Sequence, residues 1–162
     1  MASDRILLID DDADLCALMA DFFKENGLAV EFANDGRAGL SRALGEPFDL
    51  ILLDAPCSAS GTLRKHPELT WTGHGIDLDR LVRAQGDLLD AALPRLAAGG
   101  LLIYAVCSVF PEEGRAHLDR LRTARPNLVV PACWPEALGG AFFRPDLLAW
   151  DGEGFQAFAL QA

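Results

Sequence analysis

A chain of 162 residues, 51% hydrophobic and 23% charged, has the size and balance of one soluble domain with room for a core. Its four cysteines (Cys16, Cys57, Cys107, Cys133) show no C-x-x-C spacing, which argues against a zinc site or a disulfide framework, and no apolar run approaches a membrane span. The formal charge of −10 lacks the basic footprint of a nucleic-acid binder; residues 1–53 hold 11 acids against 4 bases, and the rest 13 against 10. The start MASDRILLID has neither the basic opening nor the apolar core of a secretion signal, so the cytoplasm is the expected compartment, with no certain partner.

Arg5–Ile9 reads as a short buried strand, followed by Asp10-Asp11-Asp12. Leu15, Leu18, Met19, Phe22 and Phe23 then recur at helical spacing, with Gly27 closing the helix. Leu28, Val30 and Phe32 alternate with Ala29, Glu31 and Ala33 as a second strand, and Asn34-Asp35-Gly36 is a turn. A short helix carries Leu40, Ala43 and Leu44. The run Leu50–Leu53, bounded by Asp49 and Asp54, is a third strand, apolar enough to be covered on both faces. After a polar loop holding Trp71, a long helix starts near Asp77 and runs to Gly99-Gly100, kinked or shortened at Pro94. Leu101–Val106 is a fourth strand. Pro111, Glu112 and Glu113 open another helix, where acids favour the positive dipole end. Asn127–Val130 is a fifth strand, and the tail carrying Phe142, Phe143, Trp150, Phe155 and Phe158 forms a hairpin or edge strand, best placed at 154–160.

Strands alternating with helices predict one α/β domain over 1–162, a three-layer α/β/α sandwich. Its sheet is mainly parallel, five-stranded and of order 2-1-3-4-5, with an extra antiparallel strand or hairpin at the C-terminal end.

Residues 5–54, through ILLIDDDADLC (6–16), Ala33-Asn34-Asp35-Gly36 and DLILLD (49–54), resemble the first half of a response-regulator receiver. That resemblance implies that Asp10 and Asp11 help bind Mg²⁺ and that Asp54 accepts a phosphoryl group. Three carboxylates at strand ends form a hard oxygen site suited to Mg²⁺, though a solvated acidic loop capping a helix is the plain alternative. The likeness ends at Asp54: Ala55-Pro56-Cys57 replaces the Met-Pro-like step. Ser108 could stand for the family's fourth-strand hydroxyl, but no lysine follows Lys65 to serve as its fifth-strand lysine.

From Asp54 on, DAPCSASGTLRKHPELTW (54–71), LLDAALPRLAAGGLLIYAVCSVFPEE (88–113) and, loosely, DGEGFQAFAL (151–160) resemble RNA cytosine-C5 methyltransferases of the Sun type, which modify ribosomal RNA. The resemblance implies that Cys107 attacks C6 of cytosine and that Cys57 assists proton removal and product release. It implies that Asp54 hydrogen-bonds the base and that S-adenosylmethionine donates the methyl group. Against methyl-donor binding, Asp10-Asp11-Asp12 stands where that class needs a glycine-rich turn, and no RNA-binding region precedes it. Cys16 and Cys133 read as packing residues, and His66, His74 and His117 as loop or surface residues.

Two resemblances meeting at Asp54 without a linker lead to the expectation of an engineered chimera, 1–53 receiver-like and 54–162 methyltransferase-like, without a complete active site. The alternatives are an aspartyl-phosphate module at Asp54 and, second, residual S-adenosylmethionine-dependent methyltransferase chemistry through Cys107.

Overall fold

The computed structural model describes residues 5–9, 13–34, 36–45, 47–71, 75–136, 140–144 and 154–161. The strands are β1 (Arg5–Ile9), β2 (Ala29–Ala33), β3 (Phe48–Asp54), β4 (Leu96–Val106), β5 (Phe142–Phe143) and β6 (Gln156–Gln161). The helices are α1 (Ala13–Glu25), α2 (Gly36–Gly45), α3 (Leu78–Ala92) and α4 (Arg115–Ala124). The strands form one mixed sheet in the order β2-β1-β3-β4-β6-β5, so the α/β class expected from the sequence holds. Among the described residues no helix is long and apolar enough to cross a membrane. Contacts gather the chain into two compact units, Met1–Leu52 with Ala91–Leu102 and Ala162, and Leu53–Asp90 with Ile103–Gln161.

In the first unit β1 pairs in parallel with β2 (Ile6 opposite Val30) and with β3 (Ile6 opposite Leu50). Gly27, at φ 79°, ends α1 in the left-handed conformation that glycine adopts without a Cβ penalty. The core includes Ile6, Leu7, Ala33, Phe48, Leu93, Leu96 and Leu102. In β2 burial does not follow the alternation: Glu31 and Phe32 are both exposed, and Ala33 is the buried residue. Leu52 of β3 is exposed too, so this strand is not covered throughout on both faces. Gly99-Gly100 does not stop a helix. The helix ends at Ala92, Pro94 lies in a following 3₁₀ turn, and the glycines lie within β4. A Cβ on Gly100 would stand 2.9 Å from the Ala97 carbonyl oxygen and 3.1 Å from that of Phe48, so the strand's path requires glycine there.

In the second unit Tyr104 of β4 stacks on Phe158 of β6 at 4.9 Å between ring centroids, and Phe142 of β5 pairs with Phe158 across an antiparallel ladder. Leu89 of α3 and Leu118 and Leu121 of α4 are buried with them. The expected fifth strand at 127–130 reduces to one antiparallel bridge, Val129 to Gln161. The place beside β4 belongs to β6, whose five buried residues Gln156–Leu160 make a better inner strand than the exposed run around Val129. Trp150 and Asp35 lie outside the described residues.

Candidate active site

The second unit brings together the ends of β3 and β4, each followed by a Cys-Ser pair. Beyond β3, the Ala55 amide donates to the Ala105 carbonyl at 3.1 Å, and the Gly61 amide donates to the Cys107 carbonyl at 3.0 Å. Gly61 in turn accepts from the Gly154 amide at 2.9 Å, and a Cβ at Gly61 would fall 1.7 Å from the Gly154 carbonyl oxygen. Two glycines are therefore needed for the chain to draw this tight. Ala59, at φ 53°, holds the left-handed conformation that costs a non-glycine residue about 1–2 kcal/mol. Strain of this kind persists where surrounding contacts over-determine the backbone, and it lies two residues from Cys57.

The sulfurs of Cys57 and Cys107 are 3.4 Å apart, at hydrogen-bond distance for a thiol pair, and both are half-buried. The shared hydrogen bond and the Ala59 amide outweigh burial and the Glu113 charge, and lower the Cys57 thiol to about 7. Cys107 moves the opposite way, raised by that same bond, by burial and by the charges of Cys57 and Asp54. The pair holds one proton readily and two less so, with the thiolate on Cys57. Asp54 ends β3 with an exposed side chain, near enough for its charge to act on Cys107.

Behind the thiols lies a buried polar cluster that sequence reasoning missed. Glu113 is fully buried and accepts four hydrogen bonds. The Ser58 amide (2.9 Å) and Gln85 Nε2 (2.9 Å) donate to Oε1; the Ser58 and Ser108 hydroxyls, each at 2.5 Å, donate to Oε2. The Ser60 hydroxyl closes the cluster, its oxygen 2.9 Å from that of Ser58 and 3.1 Å from that of Ser108. Gln85 Nε2 also donates to the Pro56 carbonyl at 2.9 Å, and Gln85 Oε1 lies 3.1 Å from His117 Nε2. Burial, then the Arg120 charge, lowers the His117 pKa, so the neutral ring donates from Nε2 and fixes which way the Gln85 amide points. Gln156 Nε2 donates to the Ser108 and Phe110 carbonyls, both at 2.9 Å.

His117 is thus buried in α4 rather than placed in a loop or on the surface, and Glu113 is an acceptor rather than a charge at a helix start. Pro111–Glu113 is a 3₁₀ turn, and α4 begins only after Gly114. The signal for Gln85 was present: it sits four residues from Leu81 and from Leu89, so it occupies a core position of α3. Cys16 is buried and Cys133 exposed, as packing roles allow. Trp71 is 83% exposed and packs into no core.

The proposed Mg²⁺ ligands Asp10 and Asp11 lie outside the described residues, and among the described residues no group of three or more His, Cys, Asp or Glu side chains could hold a metal ion.

Comparison with known proteins supplies the context. Residues 9–140 match the family described as 16S rRNA methyltransferase RsmB/F. The chain is 41% identical over 126 residues to ribosomal RNA small subunit methyltransferase B of Salmonella heidelberg, covering 77% of this chain and 29% of that protein. The Citrobacter koseri protein of the same name is 35% identical over 152 residues, covering 93% of this chain and 35% of the relative. The chain therefore spans about a third of the curated relatives it matches. Among solved structures it resembles PH0851 (28% identity, TM-score 0.74, 98% of this chain and 37% of that one). It also resembles NSun6 from Pyrococcus horikoshii with SFG (25%, 0.69, 97% and 41%). These matches correct the reading of residues 1–53 as a receiver half. The family match starts at residue 9, and the Citrobacter alignment covers 93% of the chain, so one family accounts for both sides of Asp54. The engineered chimera falls with that reading, and the phosphoacceptor role for Asp54 loses the resemblance it was drawn from.

Proposed function

The chain belongs to the 16S rRNA methyltransferase RsmB/F family, and from that premise we propose that its second unit carries the cytosine-engaging thiol site of an RNA cytosine-C5 methyltransferase. The observation that carries this is the 3.4 Å approach of Cys57 and Cys107 at two strand ends, with Asp54 at the same edge. In this reading Cys107 is the nucleophile. Its sulfur adds to C6 of the cytosine as its proton passes to the Cys57 thiolate, and the C5=C6 π pair moves toward C5. Lowered to about 7, Cys57 is ionised often enough near neutrality to accept that proton, and the same group can return it when the adduct breaks down. Asp54 holds the base through its amino edge, as an acceptor at the end of β3.

S-adenosylmethionine is the methyl donor of this class of enzymes. The turn after β1 where that class places its glycines, Asp10-Asp11-Asp12 here, lies outside the described residues, so the chemistry assigned to this chain is confined to the thiol pair and Asp54. The acidic charge makes the RNA contribution of these residues alone a weak one.

The test is covalent capture. A short RNA carrying 5-azacytosine, whose C6 accepts thiolates readily, is incubated with the protein and resolved under denaturing conditions with intact-mass detection. The expected result is an adduct absent in Cys107→Ala and slower to form in Cys57→Ala. An adduct that survives Cys107→Ala, or none at any pH from 6 to about 9 where the thiols ionise, overturns the reading.

A further inference from the structure

We propose that Glu113 is a positioning residue for the thiol pair, one buried carboxylate that ties the serine following each cysteine to the same oxygen atom and thereby sets the distance between the two sulfurs. The geometry is specific. Ser58 and Ser108 are the immediate neighbours of Cys57 and Cys107, and both hydroxyls reach Glu113 Oε2 at 2.5 Å. The other oxygen, Oε1, takes the Ser58 amide and Gln85 Nε2, and Gln85 also holds the Pro56 carbonyl on the far side of Cys57. Cys57 is thus bracketed at the residues before and after it by groups bound to Glu113 or to its partner Gln85. The Cys107 side is closed by Gln156 on the Ser108 carbonyl and by the Gly61 amide on the Cys107 carbonyl.

A carboxylate has about four lone-pair sites, and here all four are taken by donors from three elements. Glu113 itself is carried on the turn between β4 and α4, where Tyr104 donates from its hydroxyl to the Glu113 carbonyl at 2.7 Å. Buried networks satisfied to this extent hold a single geometry, because any rearrangement leaves a donor unpartnered in a dry place. A serine side chain is short, so a shift of Glu113 reaches each cysteine through a single residue. The sulfurs themselves make no bond to Glu113, which distinguishes positioning from participation.

The inference rests on the reading of Cys57 and Cys107 as a working pair, but its test uses no RNA. Diamide takes two electrons and two protons from a thiol pair and leaves an S–S bond, so its rate of closing Cys57 to Cys107 in the full chain reports their approach. Mass spectrometry of digested protein identifies the bridge. In Glu113→Gln the closing rate is expected to fall by about tenfold or more, because sub-ångström misplacement of reacting groups is that costly. The pH midpoint of Cys57 alkylation by iodoacetamide supplies the second reading. Loss of the thiol–thiol bond, the largest influence lowering Cys57, moves that midpoint up from about 7. Loss of the Glu113 charge alone moves it down, because that charge raises Cys57. An upward shift with slower closure supports positioning. A downward shift with unchanged closure overturns it, leaving an electrostatic role only. Where Glu113→Gln no longer melts cooperatively, Ser58→Ala and Ser108→Ala are read by the same two measurements, and wild-type values in both overturn the proposal. Failure to capture 5-azacytosine RNA, by contrast, counts against the functional reading and leaves these results standing.

Discussion

Helices α1 and α4 carry the same kind of message in sequence and meet different fates. Both repeat apolar residues at helical spacing, Leu15, Leu18 and Phe22 in α1 and Leu118, Leu121 and Ala124 in α4. In α4, Leu118 and Leu121 are buried, and His117 joins them at 4% exposure. In α1, Leu18 is 69% exposed and Phe22 61%, and Cys16 is the buried residue. Periodicity says which face of a helix is apolar; it does not say that anything covers that face. Around α4 the cover includes polar groups matched to partners, with Gln156 Oε1 the one buried side-chain acceptor among the described residues left without a donor, and this is where the chemistry sits. The expected site in the other unit, at Asp10 and Asp11, rested on carboxylates alone and has no described counterpart.

The widest separation between the two regions is expected at Glu113. Glu113→Ala strands the Ser58 amide and the Gln85 amide in a dry interior, and each buried donor without a partner costs about 1–3 kcal/mol. The two serine hydroxyls can turn toward Ser60, so the total is expected near 3–5 kcal/mol by urea denaturation rather than the sum of four losses. A loss under about 1 kcal/mol would mean that the cluster opens to water at little expense.

Glycine substitutions sharpen the contrast at a smaller scale. Gly61→Ala forces a methyl group into the Gly154 carbonyl, and overpacking against backbone is expected to cost at least about 1–3 kcal/mol and to slow the thiol chemistry, because the Gly61 amide holds the Cys107 carbonyl. Gly45→Ala, at the end of α2 with nothing within 4 Å, is expected to be neutral or stabilising by up to about 1 kcal/mol. Thermal melts of the two variants side by side give the comparison.

Much of this was legible in the residues. The alternation of strands and helices, the cysteines at two strand ends and the methyltransferase-like segments were all on the page. What misled was a local likeness. A strand ending in aspartates, then a helix, is an economical way to begin many parallel sheets, so ILLIDDDADLC speaks for an α/β crossover more than for a phosphoryl site. Two further features could not be read, for a different reason. The distance between Cys57 and Cys107 depends on how two strand ends lie beside each other, fifty residues apart in the chain. The four donors on Glu113 come from the loop after β3, from α3 and from the end of β4, and no window of sequence contains them together. Val129 shows the converse limit. Asn127–Val130 has strand composition, but β6 offers five consecutive buried residues and takes the inner position.

The pH dependence of stability separates the regions through His117. Burial holds its folded pKa below the ordinary 6.5, so between the two values the unfolded chain binds more protons than the folded one. Stability therefore rises with pH through that window and is complete above about 6.5; it is lost as pH falls below it, as the ring must gain a second N–H where it is buried. Measured by urea midpoint from pH 5 to about 8, the acid-side loss is expected to shrink in His117→Gln. An unchanged slope in that variant would assign the loss to carboxylates elsewhere.

The smallest effect is expected on α1. Phe22→Ser removes a ring already 61% exposed, whose neighbour Phe23 it meets edge-on at 5.7 Å between centroids. Little apolar area returns to water, and substitutions at such positions usually stay within about 0.5 kcal/mol. The expectation has a sharp edge, because α1 exposes Leu15, Leu18 and Phe22 along one stripe. If Phe22→Ser and Leu18→Ser each cost more than about 1 kcal/mol, that face is covered in solution. The cost would then depend on protein concentration if the cover is a second copy of the chain, and would not if it comes from the chain itself. Equal, small losses at two concentrations would confirm that α1 differs from α4 in what surrounds it and not in how it is written.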